Sequence, residues 1–286
     1  MTEILKGSLV AKKIKESMAE RIKELESKGK TSTIGVVRLG SDPSDISYEK
    51  SIIKSCEKLG IKSIVYEKDE NISTDDLMQF MDVLNKNDYI SGILLFRPLP
   101  KHIDEERIRT SISPDKDVDC MHPLNLELIF EGDMEGFAPA TPKAAMEILI
   151  HNNIELEGKN VVIINRSMVV GKPLAMMLLQ KNATVTICHS RTKNLEELTR
   201  NADIVVTALG KAKYFDKKYF TEKSIVIDVG VSLDREGNLS GDVDFDSVSD
   251  FVEAITPVPG GVGSVTTTVL LNQVVKACFR QLTEDR

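Results

Sequence analysis

Four cysteines in 286 residues, Cys56, Cys120, Cys188 and Cys278, lie far apart with no C-x-x-C pair. That spacing argues against a zinc site or a disulfide framework and fits reduced thiols in a cytoplasmic protein. Long apolar runs are also missing. None approaches the roughly 20 residues needed to span a bilayer, so no membrane association is expected. The opening MTEILKGSLVAKKIKESM has no long apolar core and no small-residue cleavage site, which excludes a signal-peptide reading. Basic charge is in deficit, with 37 Lys and Arg against 44 Asp and Glu, a net charge of -7. Nucleic acid is a poor fit as main partner, because phosphate backbones demand a dense basic surface. A small local anion site stays open. The sequence has no internal repeat and no low-complexity tract.

What is present is an alternating pattern in a chain that is 41% hydrophobic and 28% charged, a globular composition. Residues 8–29 have a charged, helical spacing. TIGVVRLG (33–40), KSIVYE (62–67) and YISGILLFRPLP (89–100) are β-rich runs. Helical spacing over 46–59 and 74–87 separates them, and Thr74 with the acids after it suits an N-cap. The segment 101–142 is irregular and holds the Pro-bounded loops PDKDVDCMHP and FAPATP. A helix from Pro142 follows. The pattern then restarts with NVVIIN, ATVTICHS, ADIVVTALG and SIVIDVGV, each separated by helical spacing or a loop. Strands alternating with helices predict mostly parallel sheets flanked by helices. Two α/β domains are expected, the second Rossmann-like. Residues 1–140 plus the C-terminal helix 268–286 form the first, and 141–267 the second.

NVVIINRSMVVGKPLAMMLLQKN (160–182) reads as strand, tight turn and helix, a geometry that favours a phosphate at the helix N-terminus. It is not G-x-G-x-x-G. Asn165 holds the first position and Ser167 the third; Asn tolerates left-handed backbone, which keeps the turn feasible. Alone, the motif fits an ordinary α/β turn as well as a dinucleotide site. The next strand ends Cys188-His189-Ser190-Arg191-Thr192 with no acid for ribose hydroxyls. Ser190 and Arg191, with Arg166 nearby, suit the extra phosphate of NADP, since a guanidinium matches phosphate oxygens with paired donors. ITPVPGGVGSVTT (255–267) is a rigid loop that permits close backbone approach. In SYEKSIIKSC (47–56), the helical neighbour of Tyr48 four residues on is Ile52, while Lys50 and Lys54 point elsewhere.

Together, Tyr48 in its helix, SGILLFRPLP, PDKDVD, RSMVVGKP, ATVTICHSRT, DIVVTALGK, IDVGV, GDVDF and ITPVPGGVG resemble one family across nearly the whole chain. It is the bifunctional methylenetetrahydrofolate dehydrogenase/methenyltetrahydrofolate cyclohydrolase family. The resemblance implies two domains with a folate cleft between them, a homodimer, tetrahydrofolate substrates, NADP as cofactor and no metal. It implies that Tyr48 lines the folate site and that Asp119 binds the pterin. Asn165, Arg166, Ser167, Ser190 and Val231 take the NADP positions, and Gly263 a folate-side loop position.

The departures are informative. Ile52 stands where the family has the lysine taken to drive cyclohydrolysis, and Phe96 where it has that lysine's glutamine partner. Cys120 replaces a glycine, Asn165 another, and Ser264-Val265 replace Pro-Met. Hydride transfer is mainly positioning and needs no lysine. Hydrolysis needs an activated water, and isoleucine cannot move a proton. The expectation is an NADP-dependent dehydrogenase whose cyclohydrolase step is weak or lost. The alternatives are a bifunctional enzyme with Lys54 or Arg97 as substitute cation, and a degenerate binder without turnover.

Overall fold

A computed structural model describes residues 1–133 and 136–284. In chain order the elements are β1 (Glu3–Ile4), α1 (Gly7–Ser27), β2 (Thr33–Leu39), α2 (Pro43–Leu59), β3 (Lys62–Lys68), α3 (Thr74–Asn85), β4 (Gly92–Leu95), α4 (Glu105–Ser111), α5 (Pro123–Glu131) and α6 (Ala140–His151). They continue with β5 (Asn160–Ile164), α7 (Gly171–Leu179), β6 (Thr184–Cys188), α8 (Leu195–Arg200), β7 (Ile204–Thr207), β8 (Ile225–Asp228), β9 (Ser232–Leu233), β10 (Leu239–Ser240), α9 (Phe245–Val248), β11 (Ala254–Ile255) and α10 (Gly263–Glu284). A 3-10 turn, Lys217–Tyr219, precedes β8. Residues 285 and 286, placed in the C-terminal helix by the sequence pattern, lie outside the described residues.

The chain divides into two compact units, residues 13–138 with 267–286, and residues 1–12 with 139–266. Residues 1–12, expected in the first domain, belong to the second unit. The reason is a pairing that no local pattern announces: β1 adds in parallel to β11, Glu3 beside Ala254 and Ile4 beside Ile255.

The 13–138/267–286 unit holds a parallel three-stranded sheet in the order β3-β2-β4. β2 and β4 are buried along almost their whole length, which is why both read as unbroken apolar runs. Leu77, Met81 and Leu84 of α3 cover the sheet together with Ile103, Ile108 and Ile112. Ser73, not Thr74, caps α3, accepting from the Asp76 N–H at 3.1 Å. The Thr74 hydroxyl instead accepts from the Asp104 N–H at 3.0 Å. The irregular segment after β4 contains two short helices, α4 and α5. Asp104 and His122 cap them through their side chains.

The other unit holds a six-stranded parallel sheet in the order β1-β11-β8-β7-β5-β6. Strands β5 and β7 are fully apolar in their interiors, and Phe215 and Phe220 fill the space beside them with no exposed surface.

Candidate active site

Helix α2 sets the first cluster. The Asp42 carboxylate caps it, accepting from the Ser44 N–H at 2.8 Å. Pro43 follows at the first turn, and Gly60 closes the helix in left-handed conformation at φ 73°. Its inward stripe is Glu49, Ile52 and Cys56. Glu49 is locked there by the buried Arg38 of β2, whose Nε donates to Glu49 Oε2 at 2.9 Å. Arg38 also donates to Glu67 of β3 at 3.0 Å and to the Gly40 carbonyl. Position 52 therefore faces the core, and Ile52 has no exposed surface.

Tyr48, one turn before Ile52, is 41% exposed. Its ring lies 5.5 Å from that of Phe96, tilted 31°. Such tilted pairs add to simple burial through the ring quadrupoles. The next residue, Arg97, donates from Nη2 to Asp119 Oδ2 at 3.2 Å. Both side chains are about a quarter exposed, 26% and 23%. Thr267 of α10 bonds the Tyr48 hydroxyl. Burial raises the Tyr48 pKa, the Asp119 charge adds to the rise, and Thr267 opposes it.

The loop that carries Asp119 is fixed by its neighbours. Lys116 is buried and donates to the Asn87 and Leu84 carbonyls at 2.8 and 3.3 Å, a cation at the C-terminal end of α3. Asp117 turns inward and accepts from Met121 N–H and His122 N–H, each at 2.8 Å, and from Asn125 Nδ2 at 2.9 Å. Gln273 of α10 donates to the Val118 carbonyl at 2.6 Å and grips Ala138 through both its N–H and its carbonyl. Gly92 admits Val118, whose methyl would collide with any Cβ there. Cys120 continues the loop with φ 56°, a left-handed conformation strained for a residue with a side chain. Burial pushes Asp119 up to about 6; Arg97 pulls it back and Asp117 pushes it further.

Tyr48, Phe96 and Asp119 are thus brought together, with Ile52 buried one helical turn from Tyr48. Lys54 and Lys50 are exposed. Gly263 belongs to the other unit, at the exposed first residue of α10. Thr267 and Gln273 were not assigned as site residues on sequence grounds. Arg97 entered there only as an alternative cation for hydrolysis, a charge inside an otherwise apolar run.

The second cluster gathers at the C-terminal ends of parallel strands, where open α/β sheets bind ligands. β5 and β6 are neighbours, with Ile164 beside Cys188. The turn bearing Asn165, Arg166 and Ser167 and the loop bearing Ser190 and Arg191 therefore leave the sheet side by side. Asn165 is not left-handed, unlike the sequence-based expectation for it. It shapes the turn with its side chain. Oδ1 accepts from Ser167 N–H and Ser167 Oγ, both at 2.8 Å, and from Gly171 N–H at 3.1 Å. Nδ2 donates to the Ala208 carbonyl after β7 at 2.7 Å. Gly171 opens α7 because a Cβ there would strike the Asn165 carbonyl. Arg166, Ser167, Ser190 and Arg191 are exposed. The β6 loop is held by Thr192 Oγ1 accepting from the His189 N–H at 2.8 Å.

Val231, half exposed, follows β8 on a loop tied by two buried aspartates. Asp228 accepts from Thr207 Oγ1 at 2.9 Å and from the N–H groups of Gly230, Asp242 and Val243 at 3.1, 3.2 and 2.9 Å. Asp242 accepts from Lys211 N–H at 2.7 Å and from Leu209 N–H. Burial pushes Asp228 up to about 7; its donors oppose that and Asp242 adds to it. Sequence reasoning gave neither aspartate a role. The available signal was an acid inside each of the apolar runs IDVGV and GDVDF.

A parallel sheet with a preformed strand–turn–helix cradle, flanked by exposed hydroxyls and guanidiniums, defines a dinucleotide-binding α/β protein. A separate Tyr–Phe–Arg–Asp cluster accompanies it. Residues 5–119 match the tetrahydrofolate dehydrogenase/cyclohydrolase catalytic domain, and residues 139–282 match the NAD(P)-binding domain of the same family. A bifunctional protein FolD of Clostridium botulinum is 58% identical over 280 residues, covering 98% of this chain and 99% of that protein. The crystal structure of the bifunctional FolD enzyme from Campylobacter jejuni superposes with a TM-score of 0.95 at 42% identity, covering 98% and 99% of the two chains. The Trypanosoma brucei dehydrogenase-cyclohydrolase, complexed with NADP cofactor and inhibitor, gives 0.91 at 31% identity with 98% of each chain covered. The chain belongs to the tetrahydrofolate dehydrogenase/cyclohydrolase family and is an enzyme of that family. Among the described residues no helix is long and apolar enough to cross a membrane.

Proposed function

We propose that this enzyme oxidises methylenetetrahydrofolate to methenyltetrahydrofolate with NADP, and that its hydrolysis of the methenyl product is weak or lost. The observation that carries the reading is the environment of position 52. Ile52 is fully buried, Phe96 stacks on Tyr48, and the nearby cation, Arg97, is engaged with Asp119. Position 52 itself offers no proton carrier for an attacking water.

For the cofactor, the residues fit. The exposed turn at 166–169 ahead of α7, with the dipole of that helix, suits a pyrophosphate. Arg166 and Arg191, with Ser190, suit the extra phosphate of NADP, and the loop after β6 places no acid against it. When bound, NADP accepts a hydride from the folate's methylene carbon. The chain's own residues do the rest. Asp119 accepts from the pterin's amino and ring N–H groups. Tyr48 gives the flat substrate an apolar wall, backed by the buried Phe96, and Val231 lines the cofactor side. The reading includes a homodimer in the cytoplasm, and sedimentation of the purified protein tests the dimer.

A second reading keeps both activities, with Arg97 as the substitute cation. The name borne by the C. botulinum relative, bifunctional, favours it. One paired assay separates the two: dehydrogenase turnover, and decay of methenyltetrahydrofolate corrected for the uncatalysed reaction in the same buffer. The expected result is rapid hydride transfer with hydrolysis far behind it. Hydrolysis at a rate matching the dehydrogenase turnover sinks the first reading, and absence of both activities sinks them together.

A further inference from the structure

We propose that Arg97 is a positioning residue for the dehydrogenase, holding the Asp119 carboxylate charged and aimed at the pterin. The proposal rests on the reading of Asp119 as the pterin acceptor and names what makes that acceptor work.

The first observation is what Arg97 is not needed for. The 116–120 loop is already fixed by Lys116 on the end of α3, by Asp117 on three donors, and by Gln273 on Val118 and Ala138. A partly exposed ion pair contributes little to stability. Fold stability therefore gives little reason for an arginine here.

The second is how Asp119 is partnered. Asp117, two residues away, has both oxygens satisfied and 1% exposure. Asp119 is 23% exposed, and its hydrogen bond among the described residues is from Arg97, to Oδ2. Oδ1 is left for a ligand's donors. Arg97 thus holds one oxygen and orients the carboxylate plane while the other stays open.

The third is charge. The titratable and charged groups facing Asp119 are Arg97 after β4, Tyr48 on α2 and Asp117 on its own loop. Cys120 beside it also feels Arg109 of α4. Burial and Asp117 both favour the neutral acid, and Arg97 opposes them. A neutral acid has a donor where the pterin N–H groups need an acceptor. An opposite charge within 4–6 Å lowers a carboxyl pKa by about 1–3 units. Arg97 is thereby what keeps the acceptor form populated at neutral pH.

The test is kcat/KM for methylenetetrahydrofolate at saturating NADP from pH 5.5 to 9, which reports ionisations of the free enzyme. Parent, Arg97→Leu, Arg97→Gln, Arg97→Lys and Asp119→Asn are compared. The parent's acid limb is expected near 6, where burial and Arg97 together leave Asp119. In Arg97→Leu and Arg97→Gln it moves up by about one unit or more. The loss then appears mainly in the folate KM at pH 6–7 and shrinks toward pH 9. Arg97→Lys returns the limb most of the way. If Arg97→Leu fails to fold, the polar, uncharged Arg97→Gln carries the test. An equal loss at every pH, or no loss, overturns the proposal, since a merely structural arginine leaves the limb in place. Asp119→Asn isolates the underlying reading: a folate KM unchanged from the parent shows that Asp119 is not the pterin acceptor, whatever Arg97 does.

Discussion

The two clusters handle polar groups in opposite ways. Around Tyr48 the open face is lean, with two tilted rings, a buried isoleucine below and the partly exposed Arg97–Asp119 pair. The cluster on the six-stranded sheet is rich in backbone donors, with two aspartates saturated by N–H groups and exposed side chains above them. The contrast is clearest between Asp119, which takes one side-chain partner, and Asp228, which takes four donors. A carboxylate saturated by its own chain builds a loop. One left with a free oxygen at partial exposure is available to something else.

The largest test of this contrast adds polarity to the lean cluster. Ile52→Lys with Phe96→Gln should raise methenyltetrahydrofolate hydrolysis by about 10²–10⁴-fold, the range of proton-transfer catalysis. Ile52→Lys alone should gain much less, because an ammonium at a fully buried position lacks a partner. A double variant no better than the sum of the singles would show that the two positions do not act as a unit.

Next in size are two mirror-image losses. Asp119→Asn should raise the folate KM by about 10–100-fold, the equivalent of one charge-assisted hydrogen bond, and leave NADP binding alone. Arg166→Ala should raise the NADP KM by about the same factor. It should leave the NAD and folate constants in place. Steady-state kinetics with both nucleotides read both variants. Equal losses with NAD and NADP in Arg166→Ala would show that the guanidinium does not read the extra phosphate.

The smallest concerns stability. Asp228→Asn puts an amide N–H₂ among groups that are already donors. It should lower unfolding stability by about 1–3 kcal/mol at pH 5. The sign of the pH dependence follows from burial. Asp228 sits at about 7 in the folded chain against an ordinary 3.8, so the folded state binds its proton more tightly between those values. This group's contribution to stability is present below about pH 4 and falls as pH rises toward 7. The difference in melting temperature between parent and variant should therefore move in the variant's favour from pH 5 to 8. A constant difference would mean that Asp228 is ionised throughout.

The strands were legible because parallel strands buried on both faces read as continuous apolar runs, as in TIGVVRL, NVVII and IVVT. The β1–β11 pairing was not, since two residues carry no period and their partner is some 250 positions away. Helices α4 and α5 hid in a Pro-bounded segment too short for helical spacing to repeat. Within the site, Tyr48, Asp119 and the cofactor turn were picked out as residue types at motif positions. The Phe96 stack, the Arg97–Asp119 pair and the Asp228–Asp242 tie depend on which loops meet, and local sequence does not encode that. At Asn165 the residue was singled out for its tolerance of left-handed backbone, but that freedom is not used, and the side chain does the shaping.

That amide has a consequence for how a ligand arrives. With Oδ1 bridging Ser167 and Gly171 and Nδ2 anchored to Ala208, the cradle has its shape before anything enters it. A nucleotide meets a turn already shaped, so little loop entropy is lost in the encounter. Recognition at this turn is closer to a rigid mould than to a closing hand. Isothermal titration with nucleotides of graded length would register each added phosphate as contact enthalpy, with no step for ordering the chain.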